Sequence, residues 1–265
     1  MGSKSDGLVK IDRAYVRQAN RAFVHRSHSG RYGEVNSEEG YQNLRRFLFG
    51  RYKVKVDIRR VTLPNRRVDE VWQADVRVAV RGIPIVLHEQ LASHYCPIQL
   101  NKELNQHRDE PDTPTPLTTA FLLDPADFDP TGDPPAPRSR YTLSLRVFHL
   151  AEKHDRFFWG HHLEQVADWE DTLIVDVGRR DDEAASTLRA WTAWNSAVAG
   201  AIDDFDPITD GLPREERRDM TFTRQGEDLY CEIPLPEITH RILGDAACIS
   251  LRISHSQQQR AATGT

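Results

Sequence analysis

The sequence predicts a mainly β protein, an antiparallel β-sandwich preceded by a short N-terminal segment of strand and helix. Three observations carry this. Apolar residues after position 50 recur with period two. Seven or eight such runs are spread over about 200 residues. Before position 50 the period is helical instead. Val54, Val56 and Ile58 alternate with Lys53, Lys55 and Asp57, and Val76, Val78 and Val80 with Asp75, Arg77 and Ala79. Tyr141 to Val147, Leu173 to Val177, Tyr230 to Ile233 and Cys248 to Ile253 follow the same rule, and Ile85-Val86-Leu87 opens another strand after the Gly82/Pro84 turn. A strand with one face in a core and one in water reads this way.

The elements before position 50 are of another kind. Arg21-Ala-Phe-Val-His25 reads as a short buried strand, followed by a loop through His28 and Gly30. Asn36 is then a suitable N-cap, with Glu39 three residues on in capping-box position. Tyr41, Leu44, Phe47 and Leu48 share one face of a helix over 37–49. Arg45 and Arg46 suit its solvated C-terminal end, and Gly50 its C′ position. The segment Pro111 to Pro137 holds eight prolines and is expected to be an excursion from the sandwich. Residues 181–200 read as a short helix, with Ala184, Leu188, Trp191 and Trp194 on one face. The expected organisation is 1–52 as one unit, 53–256 as the sandwich and 257–265 as a disordered tail.

Charge separates the same regions. The chain carries a net −5, but residues 1–60 hold 14 Lys/Arg against 6 Asp/Glu. The basic residues interleave with strand and helix patterns and form no tract, so nucleic acid is not the expected partner. No run reaches the roughly 18 apolar residues of a membrane span, and no apolar leader opens the chain, so a cytoplasmic location is expected. Cys96, Cys231 and Cys248 are widely spaced and fit free thiols.

Two short motifs point to chemistry. Ser5-Asp6-Gly7-Leu8-Val9 supplies a carboxylate in a turn, and Phe23-Val24-His25-Arg26-Ser27-His28-Ser29-Gly30 supplies an imidazole before the helix. A serine hydrolase needs both: an imidazole to take the hydroxyl proton, and a carboxylate to fix its tautomer and stabilise its cation. Asp-Gly is also a common turn pair, and a loop histidine often bonds only to backbone.

In this order, Asp-Gly loop, strand, His-Gly loop and amphipathic helix, residues 3–50 resemble the end of an α/β-hydrolase catalytic domain of the lipase/esterase type. The resemblance implies Asp6 as triad acid and His28 as triad histidine, with His25 the competing choice three residues earlier. It implies ester hydrolysis through an acyl-enzyme, an ester or lipid-like substrate and no cofactor. The sequence departs from the family in having no Gly-x-Ser-x-Gly nucleophile elbow. The expectation is therefore the C-terminal part of a hydrolase, inactive alone, joined to an accessory sandwich. Its expected partner is an N-terminal hydrolase half, or a second copy through helix 37–49. The alternative is a non-catalytic β-sandwich binding module.

Other clusters are weaker. His149, His154, His161 and His162 could suggest a metal site, but adjacent histidines on a strand point to opposite faces. Asp124, Asp127, Asp129 and Asp133 lack the glycine and terminal glutamate of a calcium loop. No metal is expected. Trp159, Trp169, Trp191 and Trp194 read as core or rim packing.

Overall fold

The computed structural model describes residues 20–24, 33, 36–64, 70–94, 96–101, 114–123, 138–151, 166–179, 188–197, 223–226 and 228–256. The order along the chain is helix α1 (Glu38–Phe49), strands β1 (Tyr52–Arg59), β2 (Glu70–Val80), β3 (Val86–Gln90), β4 (Ile98–Gln99), β5 (Thr115–Leu122), β6 (Arg138–Ala151), β7 (Trp169–Arg179), β8 (Leu188–Trp194), β9 (Thr223–Gln225) and β10 (Asp228–Pro234), a short helix α2 (His240–Leu243), and β11 (Cys248–His255).

The strands form two antiparallel sheets. One runs β5-β1-β11-β10-β9, the other β3-β2-β6-β7-β8 with β4 paired to β2. The mainly β, sandwich-like architecture expected from the period-two runs is what the chain forms. Val54, Val56 and Ile58 of the first sheet and Val76, Val78, Leu143, Leu145, Leu173 and Val175 of the second belong to one buried apolar cluster. Burying each such side chain is worth about 1.5–3 kcal/mol. The Trp194 indole N–H donates to the Pro234 carbonyl at 2.9 Å, tying the second sheet to the first.

The two outer faces differ. Alternation turns Lys53, Lys55, Asp57 and Arg59 of β1 away from the core. On the second sheet the residues that alternate with the core, Phe148, Ile174 and Asp176, are buried as well. Arg140 meets Asp176 there through two hydrogen bonds of 2.7 and 2.8 Å. Paired with a carboxylate, the guanidinium tolerates burial.

Several sequence-based expectations need correction. Residues 188–194 are strand β8, not helix; Trp191 pairs with Asp176 in the ladder with β7. Apolar spacing of three and four over a short run fits a helix face, but sheet pairing with β7 overrides it. The proline-rich stretch contains β5, and Pro116 is exposed within it. A proline is tolerated there because β5 is an edge strand, and the β1/β5 register shifts next to its partner Asp57. Residues 21–24 form no strand; Arg21 and Ala22 are exposed. The N-cap is Ser37, whose hydroxyl accepts from the Gly40 N–H at 2.9 Å, so the cap lies one residue past Asn36 and Glu39 falls out of capping-box register. Gly50 has extended φ of −66°, not the left-handed C′ conformation. Its lack of a side chain matters for another reason: a Cβ there would lie 2.4 Å from the Arg46 carbonyl oxygen and 3.1 Å from Phe121 Cβ.

Candidate functional site

Asp6, His25 and His28 lie outside the described residues. The described part of the hydrolase-like segment is Asn20–Val24, Gly33 and Asn36–Gly50, which includes α1.

Asn20–Val24 passes beside β3, an edge strand. The Glu89 N–H donates to the Phe23 carbonyl at 2.8 Å, and the Phe23 ring meets His88 edge-on with centroids 5.6 Å apart. His88 is buried, and burial pushes its pKa down to about 4, a shift that Gln90 partly opposes. The ring is therefore neutral at pH 7 and accepts from the Phe23 N–H.

Helix α1 follows from local sequence. Glu38 and Glu39 occupy its first turn and Arg46 its last, each favourable to the helix dipole. The helix touches β3 and β5, edge strands of opposite sheets. Asn43 donates to the Leu87 carbonyl of β3 at 2.7 Å. Phe47 meets Phe121 of β5 edge-on at 5.4 Å. Past Gly50, the Arg51 N–H bonds the Leu122 carbonyl at 2.9 Å and the Ser256 N–H bonds the Arg51 carbonyl at 2.8 Å. Arg46, expected in solvent, is the helix's buried residue. Burial and the neighbouring Arg45 lower its pKa to about 10, and its guanidinium bonds the Gln42 side chain.

The large apolar side chains of α1 are exposed, Phe47 only in part because it packs on Phe121. Tyr41 is 53% exposed, Leu44 56%, Phe47 42%, Leu48 44% and Phe49 67%. Spacing of three and four makes Tyr41, Leu44 and Leu48 one continuous stripe. The sequence pattern shows the stripe itself; the bond from Asn43 to the Leu87 carbonyl of β3 was not legible, because the two residues lie 44 positions apart.

Elsewhere, His149 Nδ1 lies 2.8 and 2.9 Å from the two Asp168 carboxylate oxygens, and its ring stacks on Trp72 at 5.1 Å. The carboxylate also accepts the His149 backbone N–H, so it closes the end of the β6–β7 hairpin. His154, His161, His162 and the four aspartates of 124–133 lie outside the described residues. Among the described residues no group of three His, Cys, Asp or Glu could hold a metal ion. Cys96, Cys231 and Cys248 form no disulfide. Trp169 and Trp194 are buried and meet edge-on at 5.5 Å. No described helix is long and apolar enough to cross a membrane.

Comparison of the chain with protein-family models, with curated proteins and with solved structures returns no match.

Proposed function

We propose that this chain is the C-terminal portion of a lipase/esterase-type serine hydrolase. The two sheets act as an accessory domain, and α1 is the helix that closes the catalytic α/β sheet. The observation that carries this reading is the orientation of α1. Asn43 and Phe47 hold the helix to β3 and β5, while Tyr41, Leu44 and Leu48 are exposed. A helix that belonged to the sandwich alone would bury that stripe against it. Exposed apolar surface of this kind marks a contact with another body. The motif order Asp6, His28, helix supplies the identity of that body. In the assembled enzyme the Asp6 carboxylate orients the His28 imidazole, which takes the proton from a serine outside this sequence; attack on an ester carbonyl then expels the alcohol, which leaves with that proton, and water hydrolyses the acyl-enzyme to the acid and free serine.

The test joins this chain to the polypeptide encoded in frame upstream of Met1 and measures hydrolysis of p-nitrophenyl butyrate. Expected is ester hydrolysis that falls by about 10³-fold or more in His28→Ala, with a large loss in Asp6→Asn. Activity indifferent to His28→Ala removes the role assigned to it. Absence of any ester hydrolysis favours the second reading, a non-catalytic sandwich binding module. That reading is supported by the shared core of the two sheets, which closes without a catalytic sheet.

A further inference from the structure

The segment Asn20–Val24 is a strap across the edge of β3, and its fastening has one titratable member. Two hydrogen bonds hold it. The Glu89 N–H donates to the Phe23 carbonyl at 2.8 Å, and the Phe23 N–H donates to His88 Nδ1 at 3.4 Å. The Phe23 ring lies edge-on to the same imidazole, with centroids 5.6 Å apart. His88 pairs with Val78 of β2, a core residue, and residues opposite one another on a ladder share a face. The imidazole therefore sits at the rim of the core, buried, with Phe23 against it.

A neutral imidazole with its proton on Nε2 accepts at Nδ1. The imidazolium carries a proton on both nitrogens and accepts nothing. Protonation of His88 sets a ring N–H against the Phe23 N–H, and it places a cation where water does not reach. Little around the ring offsets that. On β3, Gln90 favours the charged ring but is itself neutral. Glu89 alternates to the other face, where it pairs with Arg77 of β2 at 2.9 Å and lies 4.0 Å from His94. From α1 the side chain that bonds β3 is the neutral Asn43, with Glu39 and Arg46 about a turn away on either side. Arg21 of the strap is exposed. Among the described residues no carboxylate lies against the ring to hold a proton on it.

We propose that His88 is an acid-sensitive latch: its protonation releases Asn20–Val24 from β3 while the two sheets stay folded. The linkage sets the sign. An opening that exposes the ring lets it bind a proton near pH 6.5, as a free imidazole does, whereas the latched ring resists protonation down to about 4. The opened form therefore gains on the latched form as the pH falls between those values, by about tenfold per pH unit. The strap lies between Asp6 and His28 in the sequence, but its release does not rest on the hydrolase reading.

The experiment is amide hydrogen exchange of the full chain, read by NMR from pH 7 to 4.5 and corrected for the intrinsic exchange rate at each pH. Expected is an opening at Phe23 and Glu89 at least about a hundredfold more populated than the one that frees Leu145. It should grow about tenfold per pH unit between roughly pH 6.5 and 4.5. In His88→Gln the side-chain carbonyl can accept the Phe23 N–H and does not titrate, so the same opening should change less than about threefold over that range. The wild-type slope needs no variant, so it decides the matter if His88→Gln does not fold. Equal opening at Glu89 and Leu145 overturns the proposal, because the strap would then leave only when the whole chain unfolds. So does a wild-type opening that is flat in pH, or a slope that persists in His88→Gln. Ester hydrolysis by the joined enzyme is a separate readout, so either result can fail without the other.

Discussion

Helix α1 and strand β1 are amphipathic in opposite senses. In β1, Val54, Val56 and Ile58 point into the core and Lys53 and Lys55 into water. In α1, the buried residue is an arginine and the exposed ones are Tyr41, Leu44, Phe47, Leu48 and Phe49. The strands are shaped by the core they share. The helix is held by Asn43 at β3 and by Phe47 at β5, while Tyr41, Leu44 and Leu48 remain exposed. A strand that follows the ordinary rule reports on folding; a helix that inverts it is what the proposed docking on a catalytic sheet requires.

The largest expected effect tests the polar exception inside the sheets. Arg140 and Asp176 are buried together on the outer side of the second sheet. Removing the carboxylate takes two charge-assisted hydrogen bonds from a buried guanidinium, so Asp176→Ala should cost about 3–5 kcal/mol. Urea unfolding measures it. A loss below about 1 kcal/mol would mean the pair is solvated and that side of the sheet is less enclosed than the structure shows.

Next comes the apolar side. Leu145 is fully buried in the shared core, and Leu145→Ala should cost about 2–5 kcal/mol. The same unfolding measurement checks it, and a small change would erase the contrast with the helix.

His88 sits where the two regions meet, one residue after the carbonyl that anchors Asn43. Its folded pKa is near 4 and its unfolded value near 6.5. The unfolded chain therefore binds a proton first as the pH falls, and stability declines from about pH 6.5 towards 4, by up to about 3 kcal/mol. Glu232 has the same sign in a lower window. Arg60 holds its carboxyl down to about 2, so its stabilisation is lost only as the pH falls from 4.5 towards 2. His88→Gln should flatten the upper window and leave the lower one. Unfolding curves that stay parallel for both proteins between pH 7 and 4.5 would contradict the burial of that ring.

How much of this was legible in the sequence depends on the range of the forces involved. Lys53 to Ile58 states its strand directly, because alternation is a local property. Glu38 to Phe49 states its helix for the same reason. The cap shifted from Asn36 to Ser37 because both residues can cap, and the choice falls to contacts outside the helix. Residues 188–194 failed as a helix because β7 lay ready to pair with them, a partner some fifteen residues away. Arg46 was assigned to solvent because a guanidinium at a helix end is usually wet; nothing local says that the sandwich lies on that side. Lys53 and Lys55 were visible as the polar half of an alternation, but their lateral neighbours Ser254 and Arg252 lie about 200 residues away and are met only once β1 and β11 pair. Asp6 and His28 rest on the order of short motifs, and their meeting is a matter for the ester-hydrolysis test.

Two smaller effects sharpen the contrast within α1. Ser37→Ala removes the hydroxyl that accepts the Gly40 N–H and should cost about 1 kcal/mol. Leu44→Glu/Leu48→Glu should cost the isolated chain no more than about 0.5 kcal/mol, because both side chains already face water and two glutamates are well tolerated in a helix. In the joined protein the same pair should be severe, since docking would bury two carboxylates where two leucines fit. Parallel urea titrations of both forms give the comparison. An equal, small loss in each would mean that nothing packs on the stripe, and the orientation of α1 would then need another cause. A large loss in the isolated chain would mean instead that the stripe is covered from within it.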